Sequence, residues 1–246
     1  MLSINLLENF YKMDNNTLNT WNEELKNSSP QDVITFFLEK FPDTCALATS
    51  LGYEDQILTE MVASIDKEAN IFTLDTGRLF PETYDLIDRT SKQYGINIHI
   101  FFPERRSVEK ITQEHGINLF YDSIENRKLC CNVRKLEPLA RAMKDLDVWI
   151  TGLRKDQSVT RTSMRLVEWD DSNNIIKINP LINWTEQDVI QYIQEKGIPC
   201  NPLHKKGYAS IGCQPCTRAI EKGEDVRAGR WWWEDPATKE CGLHKK

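Results

Sequence analysis

Five of the seven cysteines have the company or the position that chemistry needs. Four form two pairs, Cys130-Cys131 and Cys213-x-x-Cys216. A Cys-x-x-Cys turn presents two sulfurs to one metal centre. Adjacent cysteines point apart, so Cys130 and Cys131 can serve one centre only with local strain. Four thiolates suit either zinc or a 4Fe-4S iron–sulfur cluster. Zinc sites more often use two spaced pairs, so the adjacent pair favours iron–sulfur. The alternative is that Cys130 and Cys131 are incidental helix-start residues and only Cys213 and Cys216 matter. Cys241 lies close to the C-terminus beside Lys239, His244, Lys245 and Lys246. Nearby cations favour the thiolate, the form that attacks, although position alone makes this a tail cysteine without a role. Cys45 in an apolar run and Cys200 between two prolines read as structural.

The surrounding composition sets the context for thiol chemistry. The chain has 246 residues, 40% hydrophobic and 28% charged, the balance of an ordinary soluble protein. Its apolar runs are far shorter than the ~20 residues a membrane helix needs. Glu8, Lys12 and Asp14 interrupt the first residues, which argues against a secretory signal. A cytoplasmic setting makes a disulfide scaffold a poor explanation of seven cysteines. The net charge of −6 gives no reason to expect nucleic acid. Locally the balance reverses: Arg127 to Arg165 holds ten Lys/Arg against four Asp/Glu, a net of +6. That surplus suits a small anionic ligand.

The elements that must carry these residues alternate. The stretch up to Lys40 reads as helical, with Ser29-Pro30 as cap and first turn. Cys45–Thr49 is a strand ending in the turn Ser50-Leu51-Gly52, and Ile57, Leu58, Met61, Val62 and Ile65 follow at helical spacing. Ile71–Leu74 is a second strand, and Pro81 opens the next helix. Ile96–Phe102 is a third strand, Leu136–Met143 a helix, and Val148–Thr151 a fourth strand ending at Gly152. A hairpin is expected between Met164 and Ile178, and Thr185 caps a helix over Glu186–Glu195. The expected fold class is α/β: a mostly parallel sheet flanked by helices, with ligands at the strand C-termini and an irregular C-terminal segment carrying the nucleophile. The domain reading is 1–228 for the α/β nucleotide- and cluster-binding body and 229–246 for a mobile catalytic tail.

Six ordered motifs carry a resemblance. They are Thr49-Ser50-Leu51-Gly52-Tyr53-Glu54-Asp55, Leu74-Asp75-Thr76-Gly77-Arg78, Cys130-Cys131-Asn132-Val133-Arg134-Lys135, Thr151-Gly152-Leu153-Arg154-Lys155-Asp156-Gln157-Ser158, the run from Gly207 through Gly212-Cys213-Gln214-Pro215-Cys216, and Arg230-Trp231-Trp232-Trp233-Glu234 closing on Lys239-Glu240-Cys241-Gly242-Leu243-His244. From about Cys45 onward the chain resembles the assimilatory adenylylsulfate reductases, the iron–sulfur branch of the phosphoadenylylsulfate reductase family. The resemblance implies an adenine nucleotide α-hydrolase-like fold and a 4Fe-4S cluster on Cys130, Cys131, Cys213 and Cys216. It also implies attack by Cys241 on adenosine 5′-phosphosulfate, giving AMP and an S-sulfocysteine, from which a separate thioredoxin or glutaredoxin releases sulfite. Carried over residue by residue, Ser50, Leu51 and Gly52 form the anion-receiving turn. Leu74 contacts the adenine through its backbone, Lys135 links cluster and substrate, and Gly152 and Arg161 belong to the fourth strand's exit loop. Arg227 and Arg230 hold anionic groups, and His244 helps to close the site.

Read one at a time, such Arg and Lys residues are surface charges and the tryptophans are packing, here assigned to anchoring the tail. Leu51 replaces a hydroxyl residue common in relatives, Arg127 stands where a His is usual, and Cys200 replaces an aromatic. Three alternatives remain: a reductase for the 3′-phosphorylated substrate or for both, an ATP pyrophosphatase of the same fold, and a non-catalytic iron–sulfur protein. The single glycine of Ser50-Leu51-Gly52 serves a triphosphate poorly, and the last alternative leaves Cys241 unused. Neither nucleic acid nor membrane is expected as a partner, and a homo-oligomer is compatible with the sequence.

Overall fold

The computed structural model describes residues 14–157 and 164–235. The N-terminal helices are α1 (Asn15–Glu24) and α2 (Pro30–Lys40). Ser29 begins α2 as expected: its hydroxyl accepts the Asp32 N–H while Asp32 accepts the Ser29 N–H, a capping box that satisfies two orphan donors. Trp21 of α1 packs edge-on against Phe36, Phe37 and Phe41, which seals this pair over the sheet.

The sheet has six strands: β1 (Cys45–Ala48), β2 (Asn70–Leu74), β3 (Ile98–Phe101), β4 (Val148–Ile150), β5 (Val167–Asp170) and β6 (Ile175–Ile178). Their order is β3-β2-β1-β4-β6-β5, parallel throughout except β5, which pairs antiparallel with β6 in the expected hairpin. Alternating strand residues feed two cores. Cys45, Leu47, Ile71, Val148 and Ile150 face α2, α3 (Tyr53–Ile65) and α8 (Glu186–Lys196), while Ala46, Phe72 and Trp149 face α7 (Glu137–Met143). Thr185 caps α8 with a second capping box. Among the described residues no helix is long and apolar enough to cross a membrane.

Two differences from the sequence reading have clear causes. Strand β3 begins two residues later than expected because Gly95, at φ 66°, ends α4 (Pro81–Tyr94) in a left-handed cap that draws the Ile96 N–H back to Ser91. The helix expected at Leu136 is the end of a longer helical run. It starts with α6 (Ile124–Cys131), passes through a π-helical turn (Asn132–Leu136) and continues as α7. Helix α5 (Arg105–His115) was not anticipated; Ile111 is its only buried residue, so it carries a thin apolar signal.

The topology places a ligand. Strand order reverses between β1 and β4, and their C-terminal ends open the crevice where such sheets bind ligands. Segments 49–52 and 151–157 leave the sheet there, with 75–78 beside them on the end of β2.

Candidate active site

At the exit of β1 the chain makes a tight turn that is held mainly by itself. The Ser50 N–H and hydroxyl both donate to Asp55 Oδ2 at 2.6 Å, and the Leu51 N–H donates to Thr49 Oγ1 at 3.1 Å. Leu51 adopts φ 64°, a left-handed conformation costing a leucine roughly 1–2 kcal/mol, and its side chain is buried against Leu86 and Ile87. Two of the turn's three backbone donors therefore serve the protein. The donors left for an anion are those of the first turn of α3, which begins at Gly52 without a side-chain cap. Burial pushes the Asp55 carboxyl up to about 6 against the lowering effect of its two Ser50 hydrogen bonds.

The exit of β4 is fastened to the same turn. A Cβ at Gly152 would collide with the Asp55 carboxylate and the Glu54 side chain, so glycine is required for the two segments to approach. Arg154, 6% exposed, donates from Nε to Glu54 Oε1 at 2.8 Å and from a terminal nitrogen to the Trp184 carbonyl at 3.2 Å. Gln157 adds a donor to the same Glu54 oxygen at 2.9 Å. Arg161, expected on this loop, lies outside the described residues.

Strand β2 ends at Leu74, whose backbone pairs with Phe101. Beyond it Asp75 Oδ1 accepts from the Gly77 N–H at 2.7 Å and the Tyr84 hydroxyl at 2.9 Å. Thr76 is the junction with the cysteines: its carbonyl accepts from Arg134 at 2.7 Å and its hydroxyl lies 3.2 Å from Cys213 Sγ. The Gln214 N–H donates to the Arg78 carbonyl at 2.8 Å, which stitches the Cys213–Cys216 turn to the sheet edge. Arg78 donates to Asn118 and to the Ile117 carbonyl and lies over the Phe120 ring.

All four paired cysteines line one buried cavity. Cys130 and Cys131 sit at the end of α6, where the backbone widens into the π turn. Such a turn re-aims successive side chains, which answers the geometric objection to an adjacent pair. Cys213 and Cys216 come from a 3-10 turn closed by the Cys216 N–H on the Cys213 carbonyl at 3.0 Å. Arg78, Arg127, Arg134, Lys135 and Arg230 line the same cavity. Burial pushes Cys216 up to about 12, helped by Cys213 and Cys131, and burial also raises Cys130. At Cys213 burial is outweighed by Lys135, the Thr76 hydroxyl, Arg230 and Arg134, which hold the thiol below its ordinary range. Among the described residues no group of three or more His, Cys, Asp or Glu is arranged to grip a single metal ion.

The last described segment packs back onto this cavity. Thr217 and Arg230 form an antiparallel bridge, and the Trp231 N–H donates to the Cys216 carbonyl at 3.1 Å. Trp231 is buried between the guanidinium groups of Arg127 and Arg230, 4.7 and 4.8 Å from its ring centroid. Gly212 leaves room for the Arg230 guanidinium, which a Cβ there would strike. Residues 229–235 thus belong to the packed body, and what remains of the expected tail, 236–246 with Cys241 and His244, lies outside the described residues. Arg227 stands half-buried just before this segment, its N–H on Asp225 and its carbonyl accepting the Arg230 N–H. Beside the cysteine cavity a more open one of ≈ 680 Å³ is lined by Gly77, Tyr84, Gln214 and others and shares Arg78 and Arg134 with it.

Of the expected site residues, Ser50, Leu51, Gly52 and Gly152 meet at the switch point, and Leu74 lies at the end of the neighbouring strand. Lys135, Arg230 and the four cysteines meet at the cavity. Sequence reasoning missed Arg78, Arg127 and Arg134 as cavity residues, and the Glu54–Arg154 clamp. All but Arg127 stand within the motifs, but nothing in the sequence around an arginine distinguishes a buried one from a solvated one. Cys45 is a buried strand residue whose thiol burial pushes up to about 12, in keeping with a structural role. Cys200 is half-buried with its sulfur 3.5 Å from the Ile198 carbonyl.

A mostly parallel sheet flanked by helices, with its strand order switching beside the N-terminus of α3, defines the class as a doubly wound α/β protein. Residues 44–219 match the phosphoadenosine phosphosulfate reductase domain, and the chain belongs to that family. It is 52% identical to the adenosine 5′-phosphosulfate reductase of Burkholderia cepacia over 82% of this chain and 81% of the relative. It is also 52% identical to the protein of that name from Allochromatium vinosum, over 83% and 80%. The crystal structure of phosphoadenylyl-sulfate (PAPS) reductase from Candida auris superposes with a TM-score of 0.73 at 31% identity, covering 85% of this chain and 98% of that one. The FMN adenylyltransferase of Candida glabrata, at 12% identity and a TM-score of 0.52, shares the fold alone.

Proposed function

We propose that the protein reduces adenosine 5′-phosphosulfate to sulfite and AMP, through an S-sulfocysteine on Cys241 and with a separate thioredoxin or glutaredoxin as reductant. The observation that carries this reading is the convergence of four cysteines and five cations on one cavity beside the sheet's switch point. The bacterial relatives that bear this activity in their names match over most of the chain. Adenine would lie against the Leu74 backbone and Gly152, with the phosphosulfate toward the first turn of α3. Lys135 and Arg230, with Arg161 and Arg227 from the adjoining segments, would neutralise the charge that builds on the leaving phosphate. The Cys241 thiolate attacks the sulfur, the S–O bond breaks, and its electron pair leaves with AMP. A thiolate of the reductant then attacks the Cys241 sulfur and expels sulfite, and its second thiol frees Cys241 as the reductant's disulfide forms. His244 would help to close the site.

The cavity suits a 4Fe-4S cluster held by Cys130, Cys131, Cys213 and Cys216. All its sulfur donors are cysteines, and thiols that burial keeps protonated would release their protons to solvent on binding iron as thiolates. Three buried donors of lining residues, Arg134 Nε, Arg230 Nε and Trp231 Nε1, have no hydrogen-bond partner among the described residues. Bound there, the cluster would order Cys130–Lys135 and set the field at Lys135, with no change of oxidation state in turnover.

The test is sulfite release from adenosine 5′-phosphosulfate and from its 3′-phosphorylated analogue, with thioredoxin, alongside mass spectrometry of the C-terminal peptide. The unphosphorylated substrate should be used and one SO3 group should appear on Cys241. Cys241→Ser should release no sulfite; sulfite from that variant would sink the reading.

A further inference from the structure

The ion pair between Arg127 and Glu234 joins the cysteine helix to the last described turn of the chain. Arg127 Nε donates to Glu234 Oε1 at 2.9 Å and a terminal nitrogen to Oε2 at 2.7 Å, a bidentate contact. The two side chains are 0% and 4% exposed. The Arg127 guanidinium also lies over Trp231, whose backbone takes φ 41°, a conformation rarely adopted by residues other than glycine. Arg127 belongs to α6, one turn before Cys130.

A buried pair of this kind is a poor device for stability. Apolar side chains of equal volume often serve as well or better, whereas a buried bidentate pair permits one geometry only. We propose that Arg127 and Glu234 are positioning residues that set the register in which the chain leaves the body toward Cys241, an inference that rests on Cys241 being the nucleophile. Glu234 precedes Cys241 by seven residues, a reach of at most about 25 Å. If the pair were lost, the next packed residue back would be Trp233, held against Tyr121 and Phe120 and eight residues from Cys241. Effective concentration falls roughly as the −3/2 power of the connecting length, so one added residue alone costs well under twofold. A displacement of about 1 Å at the nucleophile can cost about a hundredfold. The size of the effect therefore separates register from reach.

The experiment is Glu234→Gln in the full-length, cluster-loaded protein, a change that leaves Arg127 in place at the cysteine cavity. Measured are the single-turnover rate of Cys241 sulfonation, AMP affinity, Tm, iron content and the visible spectrum. We expect sulfonation to fall about 10- to 100-fold while AMP affinity changes less than about threefold and iron and spectrum are retained. A fall of twofold or less overturns the proposal. So does a loss of iron or an altered spectrum, which would make the pair a support of the cysteine cavity. Glu234→Asp keeps the charge but draws it back by one methylene, and should show the same split between rate and affinity if Glu234→Gln does not fold. Cys241→Ser, run in parallel, fails separately: sulfite from it would refute the nucleophile without bearing on the ion pair.

Discussion

At the exits of β1 and β4 the chain satisfies itself with its own carboxylates, whereas at the cysteine cavity it gathers cations around sulfur. Asp55 takes both Ser50 donors, and Glu54 takes Arg154 and Gln157, all within two sequence segments. The cysteine cavity draws on β2's exit, α6 with its π turn, the 213–216 turn and Arg230-Trp231. Apart from the first turn of α3, the described part of the first region satisfies its polar groups from within. The second gathers buried thiols, five cations and donors with no hydrogen-bond partner among the described residues around one cavity.

If that contrast is right, damage at the cavity should abolish function while leaving the sheet folded. Cys216→Ser should lose its iron and its visible absorption, with sulfite release down at least about a hundredfold and near-normal far-UV circular dichroism. Retained iron would remove Cys216 from the ligand set.

Damage at the switch point should register as stability first. Arg154→Met leaves Glu54 without its partner and should cost about 3 kcal/mol in urea unfolding, since one member of a largely buried pair is stranded. A cost below about 0.5 kcal/mol would show that Gln157 and water suffice.

Gly152→Ala drives a methyl into Asp55 and Glu54 and should cost about 1–3 kcal/mol, with weakened AMP binding measured by calorimetry. Undiminished affinity would separate this packing contact from the nucleotide site.

The smallest effect is a pH dependence. Asp55 is raised to about 6 by burial, so the native state holds its proton more tightly than the unfolded chain does. Its contribution to stability is present below about pH 4 and is lost as pH rises through about 6, by on the order of 2 kcal/mol. Asp55→Asn should flatten the stability profile over that window; an unchanged profile would mean that the Ser50 hydrogen bonds dominate.

Much of the fold was legible because its signals are local. Ser29-Pro30 and Thr185 mark helix starts through their own hydroxyls, and the apolar runs at β1, β2 and β4 are buried on both faces. Helix α5 was not legible because it buries little, and the π turn was not because no residue type announces one. At the site the cysteine pairs and the glycine turn could be read, yet the neutralisation of Ser50 and Leu51 as anion donors could not. It depends on where Asp55 and Thr49 point once α3 has formed.

By itself the sequence determined the alternation of strand and helix, the two cysteine pairs and the motifs that resemble one reductase family. These rest on residue type and spacing, which the backbone turns into structure over a few residues. Only the tertiary structure decided that the four cysteines share one cavity, that Arg78, Arg127 and Arg134 join Lys135 and Arg230 there, and that Glu234 pairs with Arg127. The Arg127–Glu234 contact alone joins residues 107 positions apart. What selects such contacts is the burial of charge, which no short window of sequence encodes.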